Sequence, residues 1–157
     1  METAVLVPAY NPDERLLTFV RKLYKSGKFR EIILVNDGSR RDCQTIFTQL
    51  AALPNVCVLR HAVNLGKGAA LKTGLNYFCC SHRDDTGVVT ADADGQHLTV
   101  DVIHVAEQLE KSSNTLVMGT RSFSDGVPFR SKLGNLTTRY AFWGVVGTRL
   151  TDTQSGL

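Results

Sequence analysis

Two carboxylates and an amide, each two residues from the next, form the chain's clearest candidate for chemistry. Asp92, Asp94 and Gln96 offer only hard oxygen donors, the set that Mg²⁺ or Mn²⁺ prefers. Gly95 lets the backbone turn so that these donors can converge. A metal held in this way keeps open positions that substrate phosphates fill, so the spacing favours a metal that holds a diphosphate. A solvated loop rich in Asp and Gly remains the alternative.

The elements that must position these residues alternate between strands and helices, which predicts one α/β domain with a mostly parallel sheet. Strands are predicted at residues 3–7, 32–35, 56–59, 87–90 and 115–118. Polar turns follow them at residues 8–11, 36–39, 64–68, 92–96 and 119–121. Ligands of such sheets bind beyond the carboxyl ends of the strands, so the five turns together predict one ligand site.

Helix boundaries are predicted from capping signatures. Asn11, Ser39 and Thr99 are expected to cap three helices, and Gly27 is expected to end the first of them. The helix that Thr99 caps is predicted to run to residue 111, and further helices are predicted at residues 67–80 and 131–146.

Composition describes an ordinary globular protein of 157 residues, 43% hydrophobic and 21% charged. A net charge of +3 is too small to indicate a nucleic-acid partner. The four cysteines lack zinc-ligand spacing, and reduced, mostly buried thiols in a cytosolic protein are expected. Because the first predicted strand begins almost at Met1, no signal peptide is expected, and the sequence has no apolar run of about 18 residues.

Charge is uneven, since the residues from Arg121 onward include five Lys or Arg against two acids. This bias suits an anionic ligand or an anionic membrane surface, and a solvated face is the alternative. The apolar stretch within the 131–147 helix is either core or a peripheral membrane contact.

Several side chains in the turns suit a nucleotide. The first strand lacks the G-x-G-x-x-G fingerprint and no P-loop is present, so side chains and a metal must hold the ligand. Asp37 could accept from a base or ribose, or simply form a turn. Tyr10 could stack on a base, or be a half-buried ring. Lys67 and Arg121 could bind phosphate oxygens, and Lys67 opposes the dipole of its helix. His97 is more often structural than a ligand.

Six motifs in order carry a resemblance to a known family: VPAYN (7–11), VNDGS (35–39), NLGKGAA (64–70), ADADGQ (91–96), GTR (119–121) and DTQSG (152–156). Together they resemble the family 2 glycosyltransferases, which have the GT-A fold. Within that family the chain is most similar to the polyprenyl-phosphate (dolichyl-phosphate) mannosyl- and glucosyltransferases.

The resemblance implies inverting, metal-dependent transfer of a hexose from a UDP- or GDP-sugar to a polyprenyl phosphate, at the cytoplasmic face of a membrane. It implies nucleotide-binding residues Pro8, Ala9, Tyr10, Asp37, Lys67 and Asp92, and Mg²⁺ or Mn²⁺ ligands Asp92, Asp94 and Gln96. It also implies acceptor-phosphate residues Arg121 and Arg130, and catalytic residues Asp94, Arg121 and Asp152.

Two alternatives follow from the same resemblance. A hydroxyl acceptor on a polysaccharide or lipid would need a general base, for which Asp152 is the candidate. Relatives continue beyond the position of Leu157, so a catalytic domain truncated at its C-terminal end is expected, and a nucleotide-sugar-binding fragment without turnover stays open. Pro12 and Asn36 depart from the family pattern, and Asn36 is expected to remove one charge from the nucleoside pocket.

Overall fold

A parallel sheet forms the centre of the fold in the computed structural model, which describes residues 2–81, 87–94, 98–111, 115 and 117. Its four strands are β1 (Thr3–Ala9), β2 (Ile32–Asp37), β3 (Val56–His61) and β4 (Gly87–Thr90). The described residues belong to a compact unit that includes residues 1–117. The single-domain organisation of the whole chain stays a prediction.

The strands lie in the order β3-β2-β1-β4. Strands β2 and β3 therefore lie in succession on one side of β1, and β4 lies on the other side of β1. This reversal creates a switch point between β1 and β4, and ligands of open α/β sheets bind at the carboxyl ends of the strands at such a point.

Pro8 was expected to stop β1, but the strand continues to Ala9 and pairs with β2 throughout. The reason is the register. Leu6 accepts from Ala91 on the β4 side, and backbone groups alternate sides along a parallel strand, so the nitrogen of Pro8 also faces that side. The paired residues of β4 end at Thr90, opposite Leu6, so the missing N–H of Pro8 costs no ladder bond.

Both faces of the sheet are covered, which explains why its strands read as continuous apolar runs. The helices are α1 (Glu14–Ser26), α2 (Gln44–Ala51), α3 (Lys67–Ser81) and α4 (Thr99–Glu110). Helices α1, α2 and α4 pack on one face, in a core that includes Val5, Val7 and Leu34. Helix α3 covers the other face, where Leu6 and Ile33 are fully buried.

The three predicted N-terminal caps are wrong, although Gly27 ends α1 in the left-handed conformation as predicted. Asp13, not Asn11, caps α1 and accepts from the N–H of Arg15. Asn11 and Ser39 instead join the first two turns to each other. The N–H of Asn11 donates a hydrogen bond to Ser39 Oγ, with an N···O distance of 2.9 Å.

Helix α2 follows a 3-10 turn over Arg41–Cys43 and has no side-chain cap. Helix α4 has its cap position at Leu98, so Thr99 is the first helical residue rather than the cap.

The cysteines differ from expectation in burial. All four are free thiols, but Cys43 alone is buried, while Cys79 and Cys80 are exposed. Helix α3 buries Ala70, Gly74 and Phe78, residues four apart on one face, so the next two positions fall outside that face.

Among the described helices, none is long and apolar enough to cross a bilayer. The predicted fifth strand is described only at Thr115 and Val117, and neither lies in a strand. The predicted helix at 131–146 lies outside the described residues.

Candidate functional site

A cavity of about 500 Å³ lies at the carboxyl edge of the sheet, at the β1/β4 switch point. The turns after β1, β3 and β4 and the last residue of β2, Asp37, contribute to its wall, at the edge that the sequence predicted. The lining residues are Pro8, Ala9, Tyr10, Asn11, Pro12, Asp13, Arg15, Asp37, Asn64, Gly66, Lys67, Ala70, Asp92, Ala93 and Asp94. The structure thus brings together every predicted site residue that it describes.

The two aspartates reach the cavity because the β1–β4 ladder ends just before them. Ala91 is buried, and its N–H donates a hydrogen bond to the carbonyl oxygen of Leu6, with an N···O distance of 3.0 Å. The chain then leaves the sheet, and Asp92 and Asp94 both line the cavity.

Lys67 pairs with the first of these carboxylates. Its Nζ lies 2.5 Å from Asp92 Oδ1, and the two side chains are 55% and 24% exposed. Lys67 is the first residue of α3 and lines the cavity. An oxygen of the proposed metal site therefore already bonds a cation.

Within the described ranges, no group of three His, Cys, Asp or Glu side chains could hold a metal. Of the three predicted ligands, Asp92 and Asp94 lie in the described wall of the cavity. The third predicted ligand, Gln96, lies outside the described residues, as do His97, Arg121, Arg130 and Asp152.

Asp37 accepts three hydrogen bonds at the cavity wall. Its Oδ1 accepts from the N–H of Leu65 at 2.9 Å and from His61 Nδ1 at 2.7 Å, and its Oδ2 accepts from the N–H of Gly66 at 2.8 Å. His61 Nε2 lies 2.9 Å from Thr73 Oγ1. The carboxylate therefore joins the end of β2 to the turn before α3.

Burial is the largest influence on the pKa of Asp37 and raises it. The N–H of Leu65, the ring of His61 and the N–H of Gly66 outweigh burial, so the pKa lies below its usual value. The carboxylate is thus ionised as an acceptor. Three of its roughly four lone-pair sites are used by the protein, which leaves capacity for one further donor at Oδ2.

Asn36 does not take part in the cavity wall, contrary to expectation. It is buried, and its amide oxygen accepts from the N–H of Ser39 over 2.9 Å while its amide nitrogen donates to Gln44. An aspartate could not supply this donor, so the amide suits its position.

Arg15 was missed by reasoning from the sequence. Its guanidinium is held by Asp13, with Nε 2.9 Å from Oδ2 and Nη2 2.8 Å from the same oxygen. The hydrogen bond to Asp13 raises the pKa of Arg15, and attraction to Asp94 adds to it. A cation in the first turn of a helix opposes the dipole, and this signal, used for Lys67, could have found Arg15.

Comparisons with known proteins identify relatives of the chain. The family model described as Glycosyl transferase family 2 matches residues 4–155. A UDP-N-acetylglucosamine–dolichyl-phosphate N-acetylglucosaminyltransferase of Methanococcus voltae is 29% identical over 98% of the chain and 66% of its own length. A dolichyl-phosphate beta-glucosyltransferase of Trichomonas vaginalis is 33% identical over 98% of the chain and 51% of its own length. The chain thus spans about half to two thirds of these curated relatives.

A solved structure, that of 4-diphosphocytidyl-2C-methyl-D-erythritol synthase, superposes with a TM-score of 0.52 at 14% identity. The match covers 68% of this chain and 53% of that one, and it shows the fold alone. The family match and the helix-flanked parallel sheet confirm the predicted α/β GT-A fold.

Proposed function

Because the chain belongs to glycosyltransferase family 2, we propose that it forms the donor site of an enzyme that transfers a hexose from a UDP- or GDP-sugar to a polyprenyl phosphate, with inversion. The observation that carries this proposal is the convergence of Asp92, Asp94, Lys67 and Asp37 on one cavity at the switch point. Two relatives whose names specify dolichyl phosphate support the class of acceptor.

The nucleoside is proposed to lie against the turn after β1 and the end of β2. Asp37 is fixed by three internal hydrogen bonds, so its remaining acceptor capacity is preorganised for a base or ribose donor. Tyr10 is 53% exposed at the cavity wall, which leaves a ring face that can stack on a base.

The diphosphate is proposed to lie between the cations of the cavity and the two carboxylates. Lys67 offers a mobile ammonium, and Arg15 offers a guanidinium already oriented by Asp13. Both lie in the first turns of helices, where the positive ends of the dipoles also favour anions.

The oxygen donors of Asp92 and Asp94 fit a hard divalent cation, and the ammonium that already bonds Asp92 indicates that this carboxylate takes a cation. We propose that they hold Mg²⁺ or Mn²⁺ together with Gln96. Such an ion would stabilise the charge that develops on the leaving diphosphate.

The acceptor side is proposed from the sequence. A polyprenyl phosphate is anionic near neutral pH, so it needs little help from a base, and Arg121 and Arg130 are the proposed contacts for it. The chain would then work at the cytoplasmic face of a membrane, with the helix predicted from the sequence at residues 131–147 as a peripheral contact. If the acceptor is a hydroxyl instead, Asp152 is the proposed base.

The first test is calorimetric titration with UDP, GDP, UDP-glucose and GDP-mannose, with and without Mn²⁺. We expect Mn²⁺-dependent binding of one nucleotide, which identifies the base. The same sugar donor is then supplied with a short polyprenyl phosphate or with the matching free alcohol. Transfer to the phosphate alone supports the proposal, transfer to the alcohol moves the acceptor to the hydroxyl class, and absence of any nucleotide binding refutes the donor site.

The acceptor residues have their own test. Arg121→Ala is expected to reduce turnover by more than it weakens donor binding, because it is proposed to contact the acceptor phosphate. Equal losses of turnover and donor affinity would move Arg121 to the donor side.

A further inference from the structure

We infer that Lys67 is a displaceable counter-ion that lowers the affinity of the free protein for a divalent cation, so that metal and nucleotide bind with positive coupling. This inference rests on the proposed function. In this role Lys67 lowers the affinity for the metal until a nucleotide is bound, which differs from a simple attractive contact with the nucleotide.

The first step is geometric. Lys67 Nζ lies 2.5 Å from Asp92 Oδ1, on the carboxylate that the metal is proposed to use. A divalent ion bound to the same carboxylate would be repelled by the ammonium at this short range. Metal binding is therefore favoured when Lys67 leaves Asp92.

The second step concerns mobility. The backbone before Lys67 is anchored, because Gly66 donates to Asp37 and its carbonyl accepts from Ala69 and Ala70. The Lys67 side chain is 55% exposed, and a lysine stem has four rotatable bonds. The ammonium can therefore swing within the cavity while its helix stays in place.

The third step is the alternative partner. At the N-terminus of α3 an unpaired ammonium opposes the helix dipole, so Lys67 gains from any nearby anion. In the free protein that anion is Asp92. A donor diphosphate in the same cavity offers Lys67 a second anion and releases Asp92 for the metal.

Coupling between two ligands is reciprocal. If a nucleotide diphosphate draws Lys67 from Asp92 and thereby strengthens metal binding, the metal must strengthen nucleotide binding by the same factor. Part of this coupling arises from direct contact between the metal and the diphosphate. The contribution of Lys67 is the decrease in coupling that follows when its charge is removed.

The test is a Mn²⁺ titration of the full chain, followed by the electron paramagnetic resonance signal of free Mn²⁺, first alone and then with saturating UDP or GDP. The variant is Lys67→Met, which keeps the length of the stem and removes the charge. Lys72→Met is the matched control, because Lys72 is an exposed lysine of the same helix that does not line the cavity. Lys67→Arg keeps the charge.

Without nucleotide, Lys67→Met is expected to bind Mn²⁺ roughly two- to fivefold more tightly than the unmodified chain, the range for release of a partly exposed ion pair. Its nucleotide affinity should fall, and the factor by which nucleotide strengthens Mn²⁺ binding should shrink by about the same amount. Lys72→Met should resemble the unmodified chain, and Lys67→Arg should retain positive coupling between Mn²⁺ and nucleotide because it keeps a cation at this position.

Two results would overturn the inference while the proposed function stands, provided that the unmodified chain binds both ligands. The first is an Mn²⁺ affinity of Lys67→Met that is unchanged or weaker. The second is a coupling factor in Lys67→Met that equals that of the unmodified chain. Nucleotide binding that is independent of Mn²⁺ overturns the inference and the metal site together. Failure of the unmodified chain to bind any nucleotide overturns the proposed function as well.

Discussion

Replacing Asp37 by Asn tests the carboxylate that fixes the cavity wall. The substitution keeps the shape of the side chain but removes the charge and turns one acceptor oxygen into a donor NH₂. In one orientation of the amide its NH₂ group faces the N–H of Leu65 and the ring of His61, and in the other it faces the N–H of Gly66. In either orientation a donor therefore faces another donor.

The expected loss follows from these contacts. Hydrogen bonds to a charged group contribute roughly 1.5–3 kcal/mol each, and an unsatisfied buried donor costs about 1–3 kcal/mol. Asp37 is 2% exposed, so solvent compensates only in small part for the lost acceptor. We therefore expect Asp37→Asn to lower the free energy of unfolding by roughly 3 kcal/mol at pH 7, a large share of the stability of a small domain.

The loss should depend on pH with a definite sign. The pKa of Asp37 in the folded chain lies below its usual value, which is about 3.9 in an unfolded chain. The stability that the ionised carboxylate contributes is therefore fully present above about pH 4 and is lost as the pH falls through the folded-state pKa. The difference between the unmodified chain and the variant should narrow between pH 7 and pH 3.

The assay is urea unfolding followed by circular dichroism at both pH values. Asp101→Asn is the control, because Asp101 is exposed on α4 and its replacement should change stability by less than about 0.5 kcal/mol. A loss below about 1 kcal/mol at pH 7, or an equal loss at pH 7 and pH 3, would refute the structural role of the carboxylate.

Three further changes probe the same edge of the sheet. In urea melts, Gly38→Ala should lower the free energy of unfolding by about 1–3 kcal/mol more than the control Gly27→Ala does. Both glycines have positive φ, but an added Cβ would lie 2.1 Å from a backbone atom at Gly38, whereas at Gly27 it would meet nothing within 4 Å. Asp94→Asn should abolish Mn²⁺-dependent nucleotide binding in calorimetry while Asp101→Asn retains it, and unchanged affinity would count against the metal site. Arg15→Gln should weaken UDP or GDP binding about fivefold, whereas equal affinity would remove Arg15 from the diphosphate site.

The alternation of strands and helices was predictable because it is written in local patterns. β-branched runs bounded by turn residues predicted β1 to β4, and α3 was predicted to begin at Lys67, where it does. The polar turns after the strands predicted the cavity edge, because parallel strands all end on the same side of a sheet.

The errors in helix caps show where local patterns fail. Asn11 and Ser39 have the chemistry of caps, and each was assigned to the helix that follows it. In the folded chain the two turns lie together, so Asn11 donates to Ser39 and accepts from the N–H of Arg40. A short polar side chain bonds whichever backbone group is nearest, and that group belonged to a turn distant in sequence.

The sequence alone determined the element types, the family and the chemical character of the cavity, because hydrophobic period, turn residues and motif spacing act over a few residues. Only the tertiary structure decided that β4 lies beside β1, that Lys67 bonds Asp92 and that His61 bonds Asp37. These contacts join residues 24 or more positions apart. They depend on which strands pair across the sheet, and strand pairing is set by the packing of the whole core rather than by any local stretch of chain.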